Sequence, residues 1–220
     1  MKIFSRISNP ALQDFNLIRD DSSTSRVYRS PNGTVYDSVT SYLSKISKAN
    51  AEIEKWILSI GAEEAGKVLK RAGERGTEIH AAAECLLKNQ SWYSISMFYH
   101  NDFLALKNHI EKTVDNVFAQ EHQMYSDRLM LAGTVDLIAE YDGVLSVIDF
   151  KTSSRIKYED ELESYYLQEA AYSIMTYERY GLQIKQLVTL MVVEGDPVIK
   201  TFIKPAVHYM KQMIKLIGNE

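Results

Sequence analysis

Two neighbouring stretches, Met124–Tyr141 and Val144–Thr152, are dense in apolar and β-favouring residues and read as strands. Asp142-Gly143 separates them, and that dipeptide is a strong local hairpin signal because a type I′ turn needs positive φ at both central positions. Gln186–Lys204 returns to β-type composition. Helical patterns surround these runs. Ser38–Ser47 and Ala51–Gly61 read as short helices, the second stopped by Gly61. A basic, glycine-punctuated segment, Gly66–Gly76, then leads to a helix over Thr77–Lys88 with Thr77 as its N-cap. Further helices are expected over Phe103–Gln120, over Asp160–Tyr180 with Gly181 at its end, and over Pro205–Gly218, where Lys204, Lys211 and Lys215 face outward. The region up to about Ser30 reads as polar and irregular, with Asp20–Ser25 a loop. This order predicts an α/β domain with a mixed sheet covered by helices.

Composition narrows the picture. The chain of 220 residues is long enough for one well-packed domain and contains no 18-residue apolar run. Its first residues, MKIFSRISNPALQDF, lack the apolar stretch of a secretory signal, so a soluble, intracellular protein without a membrane partner is expected. Cys85 stands alone, which excludes an intrachain disulfide and any four-cysteine zinc or iron–sulfur site built from this chain. A net charge of −4 argues against a general nucleic-acid coating protein. Its distribution is uneven, however: Gly66–Gly76 carries Lys67, Lys70, Arg71 and Arg75 against Glu74, while Tyr158–Glu163 is acidic. A local polyanion site stays open.

The hairpin carries the candidate chemistry. With a two-residue turn, Tyr141 faces Val144 and Asp136 falls opposite Asp149. Opposed residues share a face about 4.5–5.5 Å apart, and Lys151 joins Asp149 on that face. The other face, Val135, Leu137, Ala139, Ile148 and Phe150, is a core surface. Two carboxylates at that distance repel by roughly 3 kcal/mol at an effective dielectric near 20. A hard divalent cation such as Mg²⁺ or Mn²⁺ would reverse the sign. The alternative is a structural ion pair in which Lys151 neutralises one aspartate and leaves the other charge uncompensated.

Asp136, followed thirteen residues later by Asp149-Phe150-Lys151, resembles the signature of the PD-(D/E)XK nuclease superfamily. "GTVD", "VIDFKTS", "QEAAY" and an upstream "GERGTEIH" are similar to the RecB-type exonuclease branch. "YDSVTSYL" resembles, more loosely, the N-terminal element of mitochondrial genome maintenance exonucleases and their phage relatives. Val135 stands where the superfamily has its name-giving proline, and the cysteines of its iron–sulfur members are absent.

The resemblance implies a single nuclease domain over 1–220, with 1–61 an N-terminal helical elaboration and 62–220 a restriction-endonuclease-like catalytic core. It implies Mg²⁺ or Mn²⁺ and no iron–sulfur cluster, with Asp136, Asp149, His80 and the Phe150 carbonyl as metal ligands and Lys151 as the catalytic lysine. Read without it, His80 would be a structural residue, and Gln168, Tyr172 and Met175 an ordinary half-buried helical stripe. With it, Gln168, Tyr172, Arg75 and Thr152 become candidate substrate contacts. The implied activity is hydrolysis of DNA, with single-stranded ends as substrate and the cytoplasm of a bacterium or phage-infected cell as one setting. The helices before Gly61 would help form a passage for one strand, lined by Tyr42, Trp56, Lys67 and Arg71. A non-catalytic DNA-binding module and a structure- or sequence-specific endonuclease are the rival readings.

Overall fold

A computed structural model describes residues 2–7, 12, 14–22, 25–47 and 49–218. Ser23 and Thr24 of the expected loop, and Ser8–Ala11 and Gln13 of the N-terminal stretch, lie outside the described residues. The strands are β1 (Ile18–Asp20), β2 (Val27–Arg29), β3 (Val35–Ser38), β4 (Val114–Ser126), β5 (Leu131–Tyr141), β6 (Val144–Ser153), β7 (Gln186–Val193) and β8 (Lys200–Pro205). The helices are α1 (Val39–Ile46), α2 (Ala49–Ile60), α3 (Ala62–Leu87), α4 (His100–Thr113), α5 (Glu163–Tyr180) and α6 (Ala206–Ile217), with a short 3₁₀ turn at Glu159–Glu161. All eight strands join one mixed sheet in the order β1-β2-β3-β5-β6-β7-β8, with β4 paired to β5 outside that path. Pairing is antiparallel except for β3 with β5 and β6 with β7.

Both sheet faces are buried. Leu137, Ala139, Ile148, Phe150, Val188 and Leu190 pack against Ile79, Ala83 and Leu86 of α3 and Phe103, Leu106 and Ile110 of α4. On the other face Ile138, Val147, Leu187 and Met191 meet α1, α5 and α6. Val135 was expected beside Leu137 but joins this second layer. α5 is the central helix of that layer, so its turns from Tyr166 to Thr176 are enclosed almost all round. Ser173 and Thr176 accommodate this by donating their hydroxyls back to the carbonyls of Glu169 and Tyr172. Gly181 ends α5 in the left-handed conformation, as the pattern predicted. Lys211 and Lys215 are exposed on α6, whereas Lys204 lies within β8 and pairs with Glu159. Among the described residues no helix is long and apolar enough to cross a membrane.

Three further expectations change. The region before Ser30 is not irregular throughout: β1 and β2 form an antiparallel pair that continues into β3. The glycine-punctuated segment does not interrupt a helix. α3 runs unbroken through it, about 39 Å long at 1.5 Å per residue, and Thr77 is interior, donating its hydroxyl to the Gly73 carbonyl instead of capping. Arg75 explains the continuity: its guanidinium is buried and bonded to Asp102 and to the carbonyls of Ser153 and Val192. That anchorage outweighs the roughly 1 kcal/mol each glycine costs a helix. Finally, the helix expected to reach Gln120 stops at Thr113, and β4 follows. Bulges between Asp115 and Val117 and between Val117 and Ala119 break the strand's alternation. Ile110, Val114 and Val117 consequently keep a helix-like spacing across the junction.

Candidate metal and phosphodiester site

The site forms in a gap within the sheet. One edge of β5 is paired to β4 from Leu131 to Tyr141. The other edge is shared, with Leu137–Tyr141 paired to β6 and Leu131–Ala132 paired to β3. Gly133–Asp136 lies between these partners. The Asp142-Gly143 turn has both residues at positive φ, 48° and 77°, and the ladder runs from Tyr141↔Val144 to Leu137↔Ile148, the register expected from the sequence. It ends one step before Asp136 would meet Asp149. There the strands part, and buried backbone groups that lose their ladder need other partners.

Phe150 shows how they are met. Its N–H donates to Asp136 Oδ2 at 2.9 Å. Its carbonyl accepts from His80 Nε2 at 2.8 Å, the ring having come through from α3 on the opposite face. A hydrogen on Nε2 leaves the Nδ1 lone pair free, and Nδ1 lies 3.5 Å from Asp136 Oδ2. The Phe150 carbonyl, expected as a metal ligand, here accepts from the histidine and orients it.

Glu121 is the functional candidate that sequence reasoning missed. The β4–β5 register sets it opposite Asp136, between Gln120↔Leu137 and His122↔Val135. Its φ of 46° is rare for a residue with a side chain and marks a constrained strand position. Ligand atoms of His80, Glu121 and Asp136 all lie within 4.8 Å of one another. Burial of its carboxyl group and the Asp136 charge push Glu121 up to about 7. Because the residue as a whole is exposed, the Asp136 charge is the firmer cause. The only sequence signal was a carboxylate in a run that resembled a helix end.

Asp149 faces a different set of partners. It is 2% exposed, its Oδ1 accepts from Gln168 Nε2 at 2.9 Å, and Lys151 Nζ lies 2.5 Å from its Oδ2. Gln168 also accepts from Lys151 at 3.4 Å, so one amide orients both members of the ion pair. Burial raises Asp149, against the pull of Lys151. Burial also disfavours the lysine's charge, but Asp149 and Asp136 outweigh it and hold the ammonium above its ordinary range. Beneath them Glu169 is fully buried and accepts from Thr189 Oγ1 at 2.5 Å. Burial and the Asp149 charge raise it well above the usual carboxylate range. Gly133 admits Tyr172: a Cβ there would meet the Tyr172 hydroxyl at 2.6 Å, so "GTVD" and the tyrosine of "QEAAY" are one packing unit.

The expected substrate contacts change accordingly. Gln168 and Tyr172 are 8% and 2% exposed and support the site from beneath. Arg75, at 4%, spends its donors on Asp102 and two carbonyls, so its expected phosphate contact is replaced by a structural ion pair. Thr152 is half-buried beside Gly76 of α3. Tyr42, on the buried face of α1, is 7% exposed and packed into the core, so it does not line a passage. Lys67 pairs with Glu63 and Glu64, and Arg71 with Glu194.

The donor set suits a divalent cation. One imidazole and two carboxylates can hold such an ion, and the crowding of Glu121 and Asp136 is the repulsion it would relieve. No protein-family model matches the chain. Over 111 residues, 48% of this chain, it is 30% identical to mitochondrial genome maintenance exonuclease 1 of Homo sapiens. The chain is related, over that stretch, to a nuclease. The match covers 32% of the human protein's length.

Proposed function

We propose that the chain is a metal-dependent deoxyribonuclease of the PD-(D/E)XK superfamily, RecB-type branch, acting from the ends of single-stranded DNA. The observation that carries this reading is the His80–Glu121–Asp136 cluster set beside the Asp149–Lys151 pair in one gap of the sheet. When bound, Mg²⁺ or Mn²⁺ would polarise a phosphoryl oxygen, acidify a water and stabilise the leaving oxygen.

The chain's own groups divide the remaining work. His80 is held by the Phe150 carbonyl with Nδ1 presented, and Asp136 is held by the Phe150 N–H. Glu121 would be the third ligand, and Asp149, held beside that cluster by Lys151 and Gln168, would be the fourth. Lys151, kept charged by its acidic neighbours, donates to a phosphoryl oxygen or to the attacking water and offsets charge on phosphorus. No covalent intermediate is needed. The exonuclease mode rests on the similarity to a protein of that name and on the arm formed by α2 and the exposed N-terminal half of α3. In this reading 1–220 is a single domain, and the 1–61 segment is an elaboration that also lends β3 to the border of the gap.

Purified protein with Mg²⁺ or Mn²⁺ should degrade linear single-stranded DNA to short products, leave blunt duplex largely intact and spare covalently closed single-stranded circles. Rapid linearisation of the circles would favour the endonuclease reading, and binding without cleavage in either metal would favour the non-catalytic one.

A further inference from the structure

The segment after β6 brings a second cation to the site. Lys157 Nζ donates to the Tyr165 hydroxyl at 2.6 Å and lies 4.9 Å from that ring's centroid. Lys151 Nζ lies 5.0 Å from the same centroid. The separation of the two ammonium groups therefore cannot exceed these two distances laid end to end. Tyr165 is three residues before Gln168 on α5, so one helix face holds Lys151 through an amide and Lys157 through a phenol.

The state of the neighbouring charges is telling. Arg155 is held in a fork by Glu161, Lys67 and Lys70 are paired within their own helix, and Arg71 is paired to Glu194. Among the described residues no carboxylate forms an ion pair with Lys157. Its hydrogen-bond partner is a phenol, and Glu161, the acid that acts on it electrostatically, is already engaged by Arg155, so the ammonium is positioned with no carboxylate in contact among the described residues. The side chain is half-buried, so part of its reach is already fixed before a ligand arrives.

We propose that Lys157 binds a second phosphate of the substrate strand, the one adjoining the phosphodiester engaged by Lys151, with Tyr165 as the residue that positions it. This rests on the nuclease reading. A strand carries one charge per ~3.4 Å of helix axis, and more widely when drawn out, so adjoining phosphates fall within the span that a shared ring imposes. The preference is for a polymer over a single phosphodiester.

The test measures single-stranded oligonucleotide affinity in EDTA, and kcat and KM in Mn²⁺, for wild type, Lys157→Ala, Lys157→Gln and Lys157→Arg. Lys157→Ala and Lys157→Gln should each raise Kd and KM by about ten- to a hundredfold, the size of one charged hydrogen bond, with kcat within about twofold. Their slope of log affinity against log salt should be shallower by about 0.7, one single-strand phosphate contact. Lys157→Arg should keep the wild-type slope. Gln can still bond Tyr165, so wild-type KM and slope in Lys157→Gln would mean a structural role and overturn the proposal. Unchanged Kd and slope in Lys157→Ala would overturn it too, while wild-type cleavage leaves the nuclease reading intact. A wild type that neither binds nor cuts the oligonucleotide would overturn both.

Discussion

The two ends of the β5–β6 hairpin share a turn and a register yet hold different chemistry. At the closed end, Leu137–Tyr141 and Val144–Ile148 exchange backbone hydrogen bonds, and their side chains enter cores on both faces. At the open end the strands part to other partners, and the interval gathers Asp136, Asp149, Lys151, His80 and Glu121. A closed ladder satisfies its own backbone and leaves side chains free only to pack. An interrupted one must recruit polar side chains, and at Phe150 those recruits are an aspartate and a histidine. The closed end supplies stability, and the open end concentrates charge.

That division is tested most severely at Lys151. Lys151→Ala should lower cleavage by about 10³-fold, about 4 kcal/mol at the transition state, while circular dichroism stays close to wild type and the melting temperature falls, because the buried Asp149 loses its ion-pair partner. Cleavage near the wild-type rate would remove the open end's chemical role. The reciprocal change at the closed end is Ile148→Ala. Ile148 is fully buried, so the cavity should cost about 2–5 kcal/mol in denaturant titration. Metal affinity of the folded fraction should stay unchanged.

Gly133 sits where packing and chemistry meet. Gly133→Ala drives a methyl onto the Tyr172 hydroxyl and should destabilise by about 1–3 kcal/mol. Adding Tyr172→Phe should restore part of this in a thermal melt, not all, because ring carbons remain 3.0 and 3.2 Å from the new Cβ. No recovery would mean the strain lies elsewhere. The smallest expected shift is at Asp136. Asp136→Asn keeps an acceptor for the Phe150 N–H and removes one of the crowded charges. In EDTA it should melt at or slightly above wild type. It should also lose the Mn²⁺-induced increment, about 2.7 kcal/mol at a hundredfold excess over Kd. A much lower melting temperature in EDTA would identify Asp136 as a structural anchor.

Several parts of this arrangement are legible in the sequence. The Asp142-Gly143 turn set the register, and alternation then put Lys151 on the face of Asp149, where its ammonium is found. The stripe of Gln168 and Tyr172 pointed to a helix face that does meet the site, although as support and not as a substrate surface. Glu121 was illegible because bulges upstream erased the period of two and its own positive φ has no sequence signature. Arg75 misled for a related reason. A basic run reads as solvated unless its partner is known, and Asp102 lies 27 residues away on another helix.

The sequence by itself determined what depends on neighbours in the chain: the hairpin and its register, the aspartates and lysine gathered on it, and the left-handed stop at Gly181. Only the tertiary structure decided where the hairpin would stop pairing, because that depends on β3 and β6 competing for one edge of β5. It also decided that His80 would enter the gap from one face and Gln168 from the other, that Asp149 would face Lys151 while Glu121 joined Asp136, and that a glycine-rich segment would stay helical. Each of these is set by which distant backbone groups remain unpaired once the layers close, a quantity that no local pattern records.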